Sequence, residues 1–558
     1  MRSRVSFRAL TILALLLSFT FLGNDSFAQT PAGAAEPAAG EVSLSADAVL
    51  QRGAQLDRDR KWAESVTLYE EALKRFPENA ALKHRFALSR MHFDLGRRYD
   101  DASFREMLEK LTNENAQRLF SAVTLKLHTY YVESPQWKSL LDKGTLQLEV
   151  ALTDEVFLKR HLRAVDARRI DEFRRDLRTR LAGRSIRSRH DVKDAVNYAA
   201  WLASQRLGLS HNAVILEYTC GIADSLDDYS SFLSSGELTD VYAQIEGNFV
   251  GLGVELKPDD GGLLILRVIT GSPAEKAGIR TGDRIVAVDG RATRDMSSDQ
   301  AADLLQGVEG STVQVSVVTN DMPIRVIKIR RAHIDVPSVT DTKMLDTDSG
   351  IAYLRLNSFQ KTTSNDMDTA LWRLHRMGMK SLIMDLRGNP GGLLTASVKA
   401  ADKFIDSGII VSTRGRNAGE DYTYRAHSAG TWRVPLIVLI DGDSASASEI
   451  FAGAIRDHRR GAMVGTRSYG KGTVQGIFSL NVAESGIRLT TAKFFSPNGH
   501  PFSKVGVKPD VEVRQVAKIG ESQSPLAPVA ADKDDPVVAA AIQLARERMA
   551  RRNTTGSR

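Results

Sequence analysis

Cys220 is the only cysteine in a chain of 558 residues. No intrachain disulfide can form, which excludes a disulfide scaffold and a cysteine-based zinc site alike. Cys220 as a nucleophile competes with a plainer reading. It lies in the apolar-rich stretch Ala213 to Phe232, where a buried structural thiol is expected. Long runs of one charge sign are also missing. The formal net charge is +7, but it is diffuse, with no basic run beside aromatics, and this argues against a nucleic-acid partner. The apolar run near the start, Ala9 to Gly23, would rise only about 22 Å as a helix, short of a bilayer core of about 30 Å.

What is present is ordinary soluble composition, with 42% hydrophobic and 26% charged residues. The length exceeds what one core can organise, so two to four domains are expected. Arg2, Arg4 and Arg8 precede the short apolar run, and Ser26-Phe27-Ala28 follows it as a small-residue cleavage site. This reads as an export signal over 1–28, cut after about Ala28, and places the protein in the periplasm or cell envelope. No cysteine follows the run where a lipid anchor would need one. Residues 29–44, rich in Ala, Pro and Gly, read as a linker.

From about Ser45 the pattern turns helical. Gly53, Tyr69, Ala72 and Pro77 fall where a tetratricopeptide repeat would place them, and "WAESVTLYEEALKRFPEN" resembles one. An ordinary helical hairpin is the competing reading. The expected region spans 45–112, and 113–243 continues as helices with a solvated charged face. Both are candidate surfaces for an envelope adaptor or for homo-oligomers.

Near Phe249 the texture changes to short strands broken by glycines. Gly251-Leu252-Gly253-Val254, "GSPAEKAG" and "GDRIVAVDG" occur in the order that resembles a PDZ domain, taken as 244–332. A short helix over Ser298 to Leu305 and strands over Thr312 to Val318 and Ile324 to Ile329 fit it. The backbone N–H groups of Gly251, Leu252, Gly253 and Val254 would hold a peptide's terminal carboxylate, and the adjacent strand edge would pair with its backbone. Over 333–516 strands and helices alternate, which predicts an α/β core on one sheet. Residues 517–558 read as a linker and a basic C-terminal helix.

Three segments of this core carry chemistry. In "DGDSASASEIFAGAIRD" (Asp441 to Asp457) a buried strand ends in a small-residue turn and enters a helix. A serine there meets free N–H groups and a dipole that favours negative charge. Simple helix capping is the alternative, although three serines exceed what one cap needs. In "GTRSYGKGTVQ" (Gly465 to Gln475) Lys471 stands between glycines. Most lone lysines are solvated charges, and this one can act as a base only when neutral. Its unperturbed pKa is about 10.4, so half-neutralisation at pH 7 requires about 4.6 kcal/mol, within reach of desolvation. Gln475 can orient the amine without adding a negative charge. In "DLRGNPGGLL" (Asp385 to Leu394) Gly391 and Gly392 present bare N–H groups at a helix start, as an oxyanion hole needs. No Gly-Lys-Ser/Thr follows, so a nucleotide loop is disfavoured.

In this order, and after a PDZ-like segment, "LRGNPGG", "SASASEI", "GKGTVQ" and "FFSPNG" with "GVKPD" resemble the carboxy-terminal processing (tail-specific) protease family. The upstream "LDDYSSFL", Leu226 to Leu233, resembles it too. The likeness runs over about residues 190 to 515. It implies a multidomain α+β protein with a tetratricopeptide-like helical region, a PDZ domain and a crotonase-like α/β serine protease core. It further implies a serine endopeptidase that cleaves exported proteins near their C-termini, with protein or peptide substrates that carry a free C-terminus. The family's serine-to-lysine spacing selects Ser446 as nucleophile, with Lys471 as base and Gln475 as orienting residue. Ala447 and Gly391 or Gly392 would form the oxyanion hole. No metal or organic cofactor is implied. His500-Pro501-Phe502 departs from the family's usual run after the Pro-x-Gly turn.

Two other classes compete. One is a PDZ and helical-repeat scaffold with a dead protease core, against which the intact Ser446, Lys471 and Gln475 argue. The other is a crotonase-type acyl-CoA enzyme, which the PDZ-like segment and export signal disfavour. A histidine base is a further alternative. His458 lies about three turns beyond Ser446, too far to reach it, whereas sequence leaves His427 and His500 open.

Overall fold

The computed structural model describes residues 45–162, 165–259, 261–294, 304–319, 322–513 and 535–555. The expected signal and linker over 1–44, most of the short PDZ helix (298–303) and most of the C-terminal linker lie outside the described residues. The chain divides into two compact units. Of the described residues, one takes in Thr239–Val474 and those from Ala492 on, the other those from 45 to Leu238 together with Gln475–Thr491.

The second of these is mainly helical. Its first three helices are Ala46–Arg58, Trp62–Arg75 and Ala80–Asp100. Ser45 and Asn79 cap the first and third through their side chains. Gly53 lies under the Tyr69 ring, where an added Cβ would come within 2.3 Å of its tip. The ring cannot easily yield. Its hydroxyl donates to Asp57 at 3.3 Å, and the same carboxylate accepts from Ser65 and Ser89. Farther along, helix His211–Asp224 is buried from Ala213 to Ala223. It carries Cys220, whose thiol burial pushes well above its usual range. A thiol held protonated is a structural one.

In the other unit the PDZ-like part is a six-stranded antiparallel sheet, five strands in one path and the short Arg291–Ala292 paired beside Arg284–Val288. The order along the path is Val254–Asp259, Gly262–Val268, Arg284–Val288, Thr312–Val318, Arg325–Arg330. Val313, Val315 and Val317 are fully buried while their neighbours face outward, the period-two pattern of a sheet with one buried face. The chain enters and leaves this part through two paired strands, Asn248–Gly251 and Ala332–Asp335.

The remainder of that unit is built on a six-stranded sheet. Val339–Asp346 runs antiparallel to Ile351–Leu356. Then Ser381–Asp385, Leu436–Ile440, Gly461–Gly465 and Val511–Glu512 follow in parallel. Every residue of the three middle strands is buried, as expected for parallel strands covered on both faces. On one face Val537, Val538, Ala541 and Ala545 of the C-terminal helix, Pro536–Thr555, pack on Tyr353, Ile383, Ile437, Leu439 and Val464. The expectation of a single sheet is corrected. Ile409–Gly415 leaves the parallel sheet and pairs antiparallel with Tyr422–Arg425 and with Phe495 to Ala492. A hairpin and an antiparallel partner satisfy its backbone without a crossover.

The parallel order has a consequence for the three chemical segments. Each follows the carboxyl end of one of three adjacent strands, so residues 386–392, 441–446 and 466–471 emerge side by side at one edge of the sheet. That edge is where parallel α/β sheets place their sites.

In most helices Gly→Ala adds about 1 kcal/mol of stability. At Gly53 the sign should reverse. Gly53→Ala is expected to lower stability by about 1–3 kcal/mol through overpacking against Tyr69, read as a drop in the midpoint of thermal unfolding followed by circular dichroism.

Candidate active site

The strand Leu436–Ile440 ends at Asp441, whose carboxylate organises the turn that follows. It accepts from the N–H groups of Asp443 and Ser444 and from that of Gly388 in the neighbouring loop. The three serines then separate by what their hydroxyls bond. Ser444 Oγ donates to the Leu386 carbonyl at 2.8 Å, and Ser448 Oγ to the Asn389 carbonyl at 2.9 Å. Both pin the serine turn to the glycine loop. The Ser446 hydroxyl donates to no group among the described residues. Its backbone is strained, with φ 53° and ψ −110°, immediately before helix Ala447–Asp457. A non-glycine residue in such a region costs about 1–3 kcal/mol and persists where the surroundings enforce it.

The enforcing group is Glu449. This buried carboxylate accepts four hydrogen bonds. Oε2 takes the Ser446 N–H and the Lys471 N–H, each at 2.8 Å. Oε1 takes the Gly470 N–H at 2.7 Å and Ser468 Oγ at 2.6 Å. The main chains of Ser446 and Lys471, 25 residues apart, therefore meet on one oxygen atom. Burial pushes the Glu449 carboxyl above its usual range, and the four donors pull it down in part. Ionised, it uses all the acceptor sites a carboxylate has, and it places negative charge in the first turn of its helix. The Lys471 loop is held further by Tyr469 N–H on the Ser444 carbonyl and by Lys504 N–H on the Gly470 carbonyl. The Lys471 side chain is buried. Sequence reasoning passed over Glu449, although Ser446-x-x-Glu449 is the spacing of a capping box.

The two glycines of the loop differ in what their N–H groups meet. The Gly391 N–H is committed to Asn389 Oδ1 at 2.8 Å. The Gly392 N–H donates to nothing among the described residues. Only glycine fits there, since an added Cβ would come within 2.1 Å of the Phe359 carbonyl. The Ala447 N–H, first in its helix, likewise has no intrahelical acceptor. Asn389 anchors the loop. Its carbonyl accepts from Ala445 N–H and Ser448 Oγ, and its amide donates to Leu356 O.

Gln475 falls in the helical unit by chain position, buried on strand Thr473–Ser479. Its amide donates to Thr490 Oγ1, which in turn donates to Asp227. Asp227 also accepts from Tyr229 N–H, Ser230 N–H and Ser230 Oγ. "LDDYSSFL" is thereby connected to Gln475. Of the histidines left open by sequence, His427 has its ring bonded elsewhere. His427 pairs with Asp402 on the surface, and the main-chain N–H of His500 donates to Ser496. The ring of His458 meets the Ile409 carbonyl.

At the PDZ-like positions, Leu252 is buried and its carbonyl accepts from Ala274 N–H, while Gly253 has φ +82° and its carbonyl accepts from Ile269 N–H. Gly251 ends one strand and Val254 begins the next. The strand from Val254 is the edge of its sheet, paired on one side among the described strands.

The model of peptidase family S41 matches residues 350–513, and that of the PDZ domain residues 264–319. The carboxy-terminal-processing protease of Bartonella bacilliformis is 37% identical over 53% of this chain and 68% of its own length. The carboxyl-terminal-processing protease of Picosynechococcus is 35% identical over 52% and 70%, and the carboxy-terminal processing protease CtpA of Bacillus subtilis 32% over 52% and 62%. Among solved structures, a photosystem II D1 C-terminal processing protease aligns with 71% of this chain and 93% of its own at 27% identity, with a TM-score of 0.39. Sequence and family matches together define a serine peptidase that carries a PDZ domain. The chain belongs to the carboxy-terminal processing protease family, peptidase family S41.

Two substitutions separate the serines. Ser446→Ala should abolish labelling by a serine-directed fluorophosphonate. Ser448→Ala should keep it and cost about 1 kcal/mol of stability, because Ala445 N–H still serves the Asn389 carbonyl. Glu449→Gln sets an NH2 group against N–H donors. It should lower peptide hydrolysis by about 10²-fold or more with the fold retained, measured with a quenched fluorescent peptide and circular dichroism.

Proposed function

We propose that the chain is a Ser-Lys endopeptidase that trims exported proteins near their C-termini. Ser446 attacks the scissile carbonyl, and Lys471 takes its proton as general base. Gln475 orients the amine. The oxyanion is held by the N–H groups of Ala447 and Gly392, with Gly391 excluded because Asn389 already occupies its N–H. Lys471 passes the Ser446 proton to the departing amine as the C–N bond breaks, and water that the neutral Lys471 then activates hydrolyses the acyl-enzyme and frees Ser446. The PDZ domain captures the free tail of the substrate at Gly251 to Val254 and along the adjacent edge strand. The core is read as crotonase-like. The helical region is read as tetratricopeptide-like, a surface for an envelope adaptor or a second copy. The N-terminal sequence supports export to the periplasm or envelope.

One observation carries this reading. The Glu449 oxygen that accepts from both Ser446 and Lys471 fixes the backbone of the nucleophile beside that of the base.

Lys471→Ala and Ser446→Ala should each reduce hydrolysis of casein by at least about 10³-fold. The pH profile identifies the base. A lysine must lose a proton to act, so kcat/KM should keep rising on the alkaline side of pH 7. A histidine base would give a limb near pH 6.5, and that outcome would overturn the assignment. Capture by the PDZ domain has its own measurement. Amidating the C-terminus of a peptide substrate should raise KM several-fold and leave kcat nearly unchanged.

A further inference from the structure

We propose that the C-terminal helix sets the glycine turn of the active site, through Asp535 acting on Arg387. The inference rests on the oxyanion reading above and extends it to a part of the chain that reading does not use.

Arg387 stands at the start of the loop that ends in Gly392, and it is 7% exposed. Asp385 holds one edge of its guanidinium, accepting from Nε at 2.9 Å and from one terminal nitrogen at 2.7 Å. The other terminal nitrogen donates to Asp535, 148 residues away in sequence, at 2.7 Å. The second oxygen of Asp535 accepts from the Val537 and Val538 N–H groups at 2.8 and 3.3 Å. One carboxylate thus caps the C-terminal helix and completes the cage around a buried cation. The helix itself is locked to the sheet by Val537, Val538, Ala541 and Ala545.

With Asp385 alone, the guanidinium is gripped on one edge and can pivot about it. Asp535 removes that freedom from the opposite end. The restraint passes directly into the main chain. The Arg387 N–H donates to Asp385 at 2.9 Å, and the Arg387 carbonyl accepts from Arg355 at 3.0 Å. Two residues on, Asn389 holds both the serine turn and the Gly391 N–H, and so aims Gly392. Asp535 touches neither substrate nor reacting atoms. It is a positioning residue, which gives the C-terminal helix a role in chemistry as well as in covering the sheet.

Asp535→Asn tests this in the full-length protein. Asparagine still caps a helix, but its NH2 group would face the Arg387 guanidinium, donor against donor. The readouts are kcat and KM on a quenched peptide and the inhibition constant of a peptide aldehyde, whose tetrahedral adduct fills the oxyanion hole. The expected result is a kcat about tenfold lower and KM within twofold of wild type. The aldehyde inhibition constant should rise by a factor similar to the loss in kcat/KM, because the aldehyde mimics the transition state. Asp535→Ser, also a capping residue, should behave alike and serves if the asparagine variant does not fold. Arg546→Ala removes the pair with Asp346 from the same helix and should match wild type. A variant that keeps wild-type kcat, or loses kcat with unchanged aldehyde inhibition, overturns the role of Asp535 while leaving the oxyanion reading intact. A wild-type enzyme indifferent to the aldehyde overturns the oxyanion reading itself, and this inference with it.

Discussion

A single buried carboxylate, that of Glu449, is the constraint on which the active-site geometry depends. A buried charge is costly unless its acceptor sites are filled. Here four donors from two segments fill them, and the arrangement works in both directions. The acid needs Ser446, Ser468, Gly470 and Lys471 in place to be tolerable. They in turn are held where no local preference would put them, Ser446 above all, with its strained backbone. Strain at the proposed nucleophile and charge burial beside it are two halves of one energetic balance.

The parallel sheet explains how segments 25 to 80 residues apart become one site. Much of this is legible in sequence. A buried apolar run followed by a small-residue turn and a helix is a local signal, and it occurs at Asp385, at Asp441 and, with a lysine loop in place of the helix, at Gly465. What sequence could not decide depends on side chains folded back from elsewhere. Gly391 and Gly392 look equivalent until Asn389 is seen to occupy one of them. Ser444, Ser446 and Ser448 look equivalent until two of them are seen holding carbonyls of another loop. The strand Ile409–Gly415 reads as a member of the main sheet because its composition is that of a buried strand, whereas its partner is fixed only by what lies beside it.

Residues that resist a local reading prove to be network members. Asp227 and the serines after it form a motif with no obvious chemistry of their own. Through Thr490 they orient the amide of Gln475. The Thr490 proton is committed to the Asp227 carboxylate, so its oxygen can only accept, and the amide nitrogen must face it. Cys220 is the opposite case. It is a residue type with conspicuous chemistry, rendered inert by its helix being buried on every side.

The paired strands Asn248–Gly251 and Ala332–Asp335 give the PDZ-like part the form of a cassette. Just beneath them Val336 N–H donates to the Gly247 carbonyl at 2.8 Å, so the two ends of an insertion of nearly ninety residues lie one hydrogen bond apart. The catalytic sheet begins only after that neck, and its strand order does not include any strand from the inserted part. The inserted part and the sheet are therefore separable by a splice of minimal length. On the proposed reading, exchange of one such cassette for another would change which tails are admitted without redrawing the sheet that cuts them.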